Sequence, residues 1–335
     1  MYYYRAYELL IASEVELKDL LPAFAAEAVA GECLADGVID GCAADTGTDD
    51  HDVDTVMREH TVDVRICMEE PEAIDKAYYS YRKETQELPS EAAFSLPGLA
   101  RFVITDARLI SVIPDITVDV DLTMISLYII FLVLTLLLYV RGILPVHGSA
   151  VLVGEGCIIL AGGSGVGKST LCSFFRKQGF SVLSDDIAAV AFSLEGEAKV
   201  HPGFPLQKLL EDSLLAIGES PEHFEYISAE NNKYKISAVD WFHASPERLL
   251  AIFELVPEQC AGVTCEEVKG MQKVLALAKN THNLKLISLL ERQKEYFEQC
   301  VQLARKIRYY RLYKPKGEFT MELQLQCIKT ALQTE

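Results

Sequence analysis

Apolar positions along this chain follow two rhythms, and the places where the rhythm changes divide it into parts. Tyr2-Tyr3-Tyr4, Tyr7 and Leu9-Leu10, ahead of a break at Leu20-Leu21-Pro22, predict a strand and a short helix. Val62 to Cys67 alternates apolar and polar side chains, as a half-buried strand does. Phe94 to Ile104 and Ala107 to Pro114 read as a hairpin that turns near Thr105-Asp106. Residues 1–121 are therefore expected to form a strand-rich domain. Beyond residue 142 the rhythm becomes strand, strand, helix, strand: Gly148 to Val153, the short apolar run Cys157 to Ala161, helical spacing over Ser169 to Arg176, and Phe180 to Asp186. Ala188 to Phe192 predicts a further strand. The connection Pro202-Gly203-Phe204-Pro205 is rigid and leads into a predicted helix through Lys208 to Leu210. Residues 219–245 are polar and mixed, with Asn231 to Lys235 expected to be a loop. Leu249 to Val256 predicts a strand, and Gln272 to Lys306 predicts one or two helices. The apolar stripe from Leu284 to Ile307 is expected to pack into a core. Ile307 to Tyr313 predicts a last strand, and Phe319 to Leu332 an amphipathic closing helix.

Between these halves, Leu122 to Val140 carries no charge over about nineteen residues, long enough to span a bilayer. Two readings are open. The flanks, Asp119 and Asp121 on one side and Arg141 on the other, make a poor membrane anchor. A predicted strand also follows almost at once. A buried helix connecting two domains (residues 122–141) fits these features; a membrane-edge helix is the rival.

Composition narrows the function classes. Half of the 335 residues are apolar, enough for a real core, and the length suits one large domain or two ordinary ones. With 49 Asp+Glu against 31 Lys+Arg and a net charge of -18, the chain lacks the basic surface of a nucleic-acid binder. Nine cysteines without a C-x-x-C pair predict reduced, mostly buried thiols. Met1 to Arg5 does not open a signal peptide, so a cytoplasmic protein is expected. The acidic run Asp45 to Asp52 suggests a calcium loop, but its glycine and closing glutamate are misplaced, and a solvated loop fits better.

The chemistry is concentrated in residues 147–186. Gly162-Gly163-Ser164-Gly165-Val166-Gly167-Lys168-Ser169 fits the phosphate-binding pattern G-x-x-x-x-G-K-[ST], with a strand before it and a helix after it. Glycines bring backbone N–H groups up to phosphate oxygens, and the helix N-terminus adds partial positive charge. Lys168 would reach the β- and γ-phosphates, and the Ser169 hydroxyl would sit on Mg²⁺. One helix further on, Asp185-Asp186 closes the next strand, so carboxylates and phosphates gather at one sheet edge. One carboxylate can serve Mg²⁺, and the other can accept a proton from an attacking hydroxyl. His147, opening the strand before the loop, can orient or tune an aspartate, or can be purely structural. Lys208 and Lys235 are candidate contacts to the substrate, because an acidic protein handling polyphosphate needs cations near the transferred group; two solvated surface lysines are the alternative.

His147-Gly148-Ser149-Ala150-Val151, the GGSGVGKST loop and Val182-Leu183-Ser184-Asp185-Asp186, in this order and spacing, resemble the kinase domain of HPr kinase/phosphorylase, itself similar in fold to phosphoenolpyruvate carboxykinase. A looser likeness extends to His201 to Leu209 and to Tyr309 to Leu312. The resemblance implies an α/β fold with that P-loop kinase core in residues 142–335, behind the N-terminal β-rich domain. It implies ATP held by the loop from Gly162 through Lys168 and Ser169 to Thr170, with Mg²⁺ on Ser169 and Asp186. It also implies Asp185 as the base on a serine hydroxyl, with His147 beside it. The loop continues Ser169-Thr170 where those enzymes continue Ser-Glu, and the family's arginine-glycine-asparagine signature is not found. These departures point away from the bifunctional enzyme. The architecture is closer to HPr-kinase-like proteins of peptide-modification systems, some of which phosphorylate lasso-peptide precursors. The implied partner is a peptide or small protein carrying the acceptor serine; a homo-oligomer is allowed. A nucleotide-gated switch ATPase without an acceptor, membrane-attached through residues 122–140, is the competing expectation.

Overall fold

A computed structural model describes residues 1–18, 62–69, 92–228, 232–283 and 292–333, together with 20, 287 and 290. The acidic segment 31–60, including the run 45–52, lies outside the described residues.

Strand β1 (Tyr2–Ala6) pairs antiparallel with β2 (Leu9–Ser13) through a two-residue turn in which Tyr7 and Glu8 both take left-handed φ angles, 55° and 62°. That is the geometry of a type I′ hairpin, whose twist matches its strands. A second strand therefore stands where a short helix is expected. β3 (Val64–Met68), β4 (Ala92–Leu96), β5 (Ala100–Thr105) and β6 (Leu109–Pro114) complete a six-stranded sheet of order β1-β2-β3-β6-β5-β4. The β5–β6 connection turns at Asp106 and Ala107, both left-handed.

Helix α1 (Leu122–Val140) begins at Asp121, whose carboxylate accepts from the Thr123 N–H at 2.8 Å. It passes through one π-helical stretch, Ile129–Val133. It ends at Gly142 (φ 72°), a left-handed stop that glycine adopts without strain. Among the described residues it is the helix long and apolar enough to cross a membrane, and 67% of it is buried inside the fold. Ile125, Ile129, Ile130 and Val133 through Leu138 join a core that runs from the six-stranded sheet to one face of the central sheet. Arg141 ties the helix end to the first sheet, donating from Nε to the Ala107 carbonyl and from Nη2 to that of Asp63. Leu137 is fully buried whereas Leu122 is more than half exposed. Leu137→Ala should therefore lower stability by about 2–5 kcal/mol, while Leu122→Ala leaves the thermal midpoint nearly unchanged. Equal midpoints in the two variants would contradict this packing.

The central sheet is built from β7 (Leu144–Val153), β8 (Gly156–Ala161), β9 (Val182–Ser184), β10 (Ile187–Phe192), β11 (Ala198–His201), β15 (Glu247–Glu258), β16 (Thr264–Glu267) and β17 (Arg308–Pro315). A three-stranded sheet of β12 (Leu206–Leu210), β14 (Lys233–Ser237) and β13 (Glu225–Ser228) packs nearby. Among the described residues, the α-helices after α1 are α2 (Lys168–Lys177), α3 (Glu211–Ala216), α4 (Gly270–Lys279), α5 (Gln293–Lys306) and α6 (Met321–Leu332). β8, β15 and β17 run parallel, so their C-terminal ends meet at one edge. The antiparallel β7 brings His147 to the same edge, where Gly148 lies opposite Ala161. The chain is thus mixed α/β, with several strand ends gathered at one edge.

Two local expectations are corrected. Lys208 lies in β12, not in a helix; helix α3 starts only at Glu211. Lys235 lies in β14, not in a loop, and Lys208 and Lys235 are register partners. Backbone pairing outweighed local preference: with Leu206, Gln207 and Leu209 all buried, an extended strand covers both faces. Within the stripe from Leu284 to Ile307, Ile287, Leu290, Cys300, Leu303 and Ile307 are buried as expected, and α5 begins at Gln293. Of the seven described cysteines, all free, Cys157, Cys172 and Cys300 are buried and the other four only partly so.

Candidate phosphate-binding and phosphoryl-transfer site

The loop between β8 and α2 holds Gly162, Gly165 and Gly167 at φ 139°, 76° and 101°. A Cβ at Gly162 would sit 3.0 Å from the Leu255 carbonyl oxygen, on a φ that side chains rarely adopt, so a side chain here is strained. Gly167 caps α2 without a side-chain hydrogen bond, leaving the first N–H groups of the helix for a ligand. Gly163, Ser164 and Val166 complete the turn. Lys168 lies folded back over it, only 7% exposed. Its ammonium donates to the carbonyls of Gly162 (3.0 Å) and Gly163 (2.9 Å) and lies 3.1 Å from His147 Nε2. Burial lowers the Lys168 pKa, opposed by the fields of Asp186 and Asp185. Thr170 donates its hydroxyl to Ser213 Oγ at 2.8 Å, away from the glycine-rich turn.

β9 ends at Ser184, and both aspartates follow it. Asp186 takes a left-handed φ of 73°, a conformation that aspartate tolerates at a cost of roughly 1–3 kcal/mol. That turn breaks the alternation of the strand and lets both carboxylates reach one site, with different neighbours. Asp185 is 8% exposed and accepts from the Ser149 hydroxyl, and the nearby Ser169 hydroxyl and Lys208 N–H also favour its charged form. Burial raises its pKa, and the Ser149 hydrogen bond works against that rise. The side chain of Asp186 is 44% exposed, with Oδ1 3.4 Å from His147 Nδ1. His147 is held at β7 by its N–H to the Asn280 carbonyl (2.7 Å). Its ring is pushed toward neutrality by burial and then by Lys168.

Three neighbours escaped the sequence reading. His282, in the turn after α4, sets its ring 5.4 Å from that of His147. Lys314, at the C-terminal end of β17, brings its ammonium to 3.4 Å from where a Gly167 Cβ would stand. Burial lowers its pKa, and no carboxylate contributes to that shift. Lys233, on β14, adds a positive field at both His147 and Lys168. All three come from distant parts of the chain, and none sits in a recognisable motif. The Lys208 ammonium lies 3.1 Å from the Phe131 ring centroid, against α1, and its backbone N–H favours the charged form of Asp185. Lys235 borders a cleft with Tyr2, Glu16, Leu122 and Glu225.

Burial drives the His282 ring from its ordinary 6.5 to about 4. Between those values the unfolded chain binds a proton that the folded chain refuses. The contribution of this group to stability is therefore whole above about pH 6.5 and is lost as pH falls toward 4. The thermal midpoint should fall across that window more steeply in the wild type than in His282→Gln; parallel profiles would contradict it.

The oxygen donors of Ser169 and Asp185 fit a hard cation such as Mg²⁺ beside the phosphate loop. No protein-family model and no curated protein matches the chain. Among solved structures, the Hpr(Ser) kinase/phosphatase from Coxiella burnetii is similar at 9% identity and a TM-score of 0.32, covering 56% of this chain and 89% of that one. The likeness is distant.

Proposed function

We propose that this chain is a kinase that transfers the γ-phosphoryl group of ATP to a serine hydroxyl on a peptide or small protein. A ribosomally made precursor peptide of the lasso class is the finer expectation. The observation that carries this reading is the convergence of Lys168, Ser169, Asp185 and Asp186 at one strand-end edge. The loop amides and Lys168 hold the phosphates. Mg²⁺ would be held by Ser169 and Asp185 and would neutralise charge on the β- and γ-oxygens.

The different surroundings of the two aspartates favour a division opposite to the one the family resemblance implies. Asp185 is buried, accepts from the Ser149 hydroxyl and lies near the Ser169 hydroxyl of the loop, which suits the metal side. Asp186 is the carboxylate that an incoming hydroxyl can reach. It would take the serine proton as the oxygen attacks phosphorus, with His147 orienting it.

Lys314 is read as a second phosphate ligand, since its half-buried ammonium stands over the loop at Gly167. Lys314→Ala should weaken ATP affinity by about tenfold, the order of one charge-assisted hydrogen bond, while AMP affinity changes less. Equal ATP affinity in the folded variant would remove it from the site.

Incubating the protein with Mg²⁺·ATP and candidate peptides from its genomic neighbourhood, followed by mass spectrometry, tests the function. A phosphoserine product is expected, with ATP turnover slow until the acceptor is added. Steady hydrolysis indifferent to every acceptor would instead mark a nucleotide-gated ATPase.

A further inference from the structure

His282 has no part in the phosphoryl-transfer reading, yet it faces the same space as Asp186. His147, Asp186 and His282 each present one ligand atom, and those atoms all lie within 4.8 Å of one another. A zinc ion with bonds of about 2.0–2.1 Å holds tetrahedral ligands about 3.3 Å apart. Rotations that move each atom by roughly 1 Å or less would close the cluster to that spacing.

The backbone keeps the two histidines together. The His147 N–H donates to the Asn280 carbonyl at 2.7 Å, and the His282 N–H donates to the Pro145 carbonyl at 2.8 Å. The Tyr139 hydroxyl, at the end of α1, donates to the His282 carbonyl at 2.6 Å. Independently, His282 Nδ1 is buried without a hydrogen-bond partner. Leaving such an atom unpaired costs about 1–3 kcal/mol, which coordination or a proton-bearing ligand would offset. Two imidazoles and one carboxylate are the donor set of zinc and its neighbours, whereas Mg²⁺ prefers oxygen.

We propose that His147, Asp186 and His282 form a second cation site, selective for a first-row transition-metal dication such as Zn²⁺, and that its occupancy stops phosphoryl transfer. The inhibitory half rests on the proposed role of Asp186 as base: a carboxylate bound to Zn²⁺ cannot accept the serine proton. Coordination also takes from His147 either its Nδ1 proton or the hydrogen bond between its Nε2 and Lys168. Mg²⁺ at Ser169 and Asp185 is untouched, so the two ions do not compete for the same ligands.

The test begins with Co²⁺ titrated into the metal-free full-length protein, a readout that needs no kinase activity. A visible ligand-field band is expected at one Co²⁺ per chain. It should lack the sulfur-to-metal band that binding at any of the nine cysteines would give, and Zn²⁺ should displace it. His282→Ala and His282→Gln, each checked for an unchanged thermal midpoint near pH 7.5, should lower Zn²⁺ affinity by at least about tenfold. Absence of the band, a thiolate band in its place, or wild-type Zn²⁺ affinity in a folded His282 variant would overturn the site. In the second arm, micromolar Zn²⁺ with excess Mg²⁺ should stop transfer in the wild type and spare either His282 variant. Equal inhibition of wild type and variants, or none in either, would overturn the inhibitory role. Absence of transfer with no Zn²⁺ added would instead sink the kinase reading while leaving the cobalt result intact.

Discussion

Replacing Lys168 by alanine should abolish ATP-dependent activity, lowering turnover by at least about 10²–10³-fold, the loss that follows removal of one preorganised donor from a developing anion. ATP affinity should weaken in the same variant. The argument rests on position: Lys168 opens α2 at the C-terminal edge of the parallel strands, and its ammonium spans from the loop carbonyls to His147. Those carbonyls are partners that an arriving phosphate can replace. The ammonium is nearly buried, and burial lowers its pKa, so its charge is poorly compensated until an anion arrives. Nucleotide binding is measured by calorimetry and turnover by phosphate release, with circular dichroism as the control for folding. Unchanged turnover in a folded Lys168→Ala protein would rule out a phosphate role for the loop.

How much of this was legible in the sequence depended on how local the determinant is. The strand, glycine-rich turn and helix around Gly162 to Ser169 could be read because the pattern falls within eight consecutive residues, and the strand and helix stand where it puts them. The hairpin at Asp106 was equally local. Lys208 was misread because Leu206 to Leu210 offers no clear period. Its strand state comes from pairing with β14, more than twenty residues further on. The apolar run of α1 is compatible with a bilayer by composition alone; only the packing of the two sheets around it shows what covers its surface. His282 and Lys314 were out of reach for a different reason. A parallel strand and the turn after a helix bring them to the loop, and nothing in their own neighbourhoods marks them. The aspartate pair was half legible. Its adjacency is in the sequence, but the left-handed turn at Asp186, which gives the two carboxylates different neighbours, is not.

Asp186→Asn should leave Mg²⁺·ATP binding nearly intact and slow phosphoryl transfer by roughly 10²–10⁴-fold, the effect of losing a general base. The amide keeps the shape of the side chain but cannot take a proton from the acceptor. Asp185→Asn should act earlier, weakening Mg²⁺ dependence and ATP affinity together, because a buried oxygen charge facing Ser169 is gone. Local damage is expected to be larger at Asp185, whose buried carboxylate accepts from the Ser149 hydroxyl.

The most direct measurement therefore places both variants beside the wild type and records, for each, Mg²⁺·ATP affinity and single-turnover transfer to the acceptor peptide. The account predicts that Asp186→Asn keeps affinity and loses transfer while Asp185→Asn loses affinity. The reverse pattern would restore the division implied by the family resemblance. Full transfer in both folded variants would contradict phosphoryl transfer at this site.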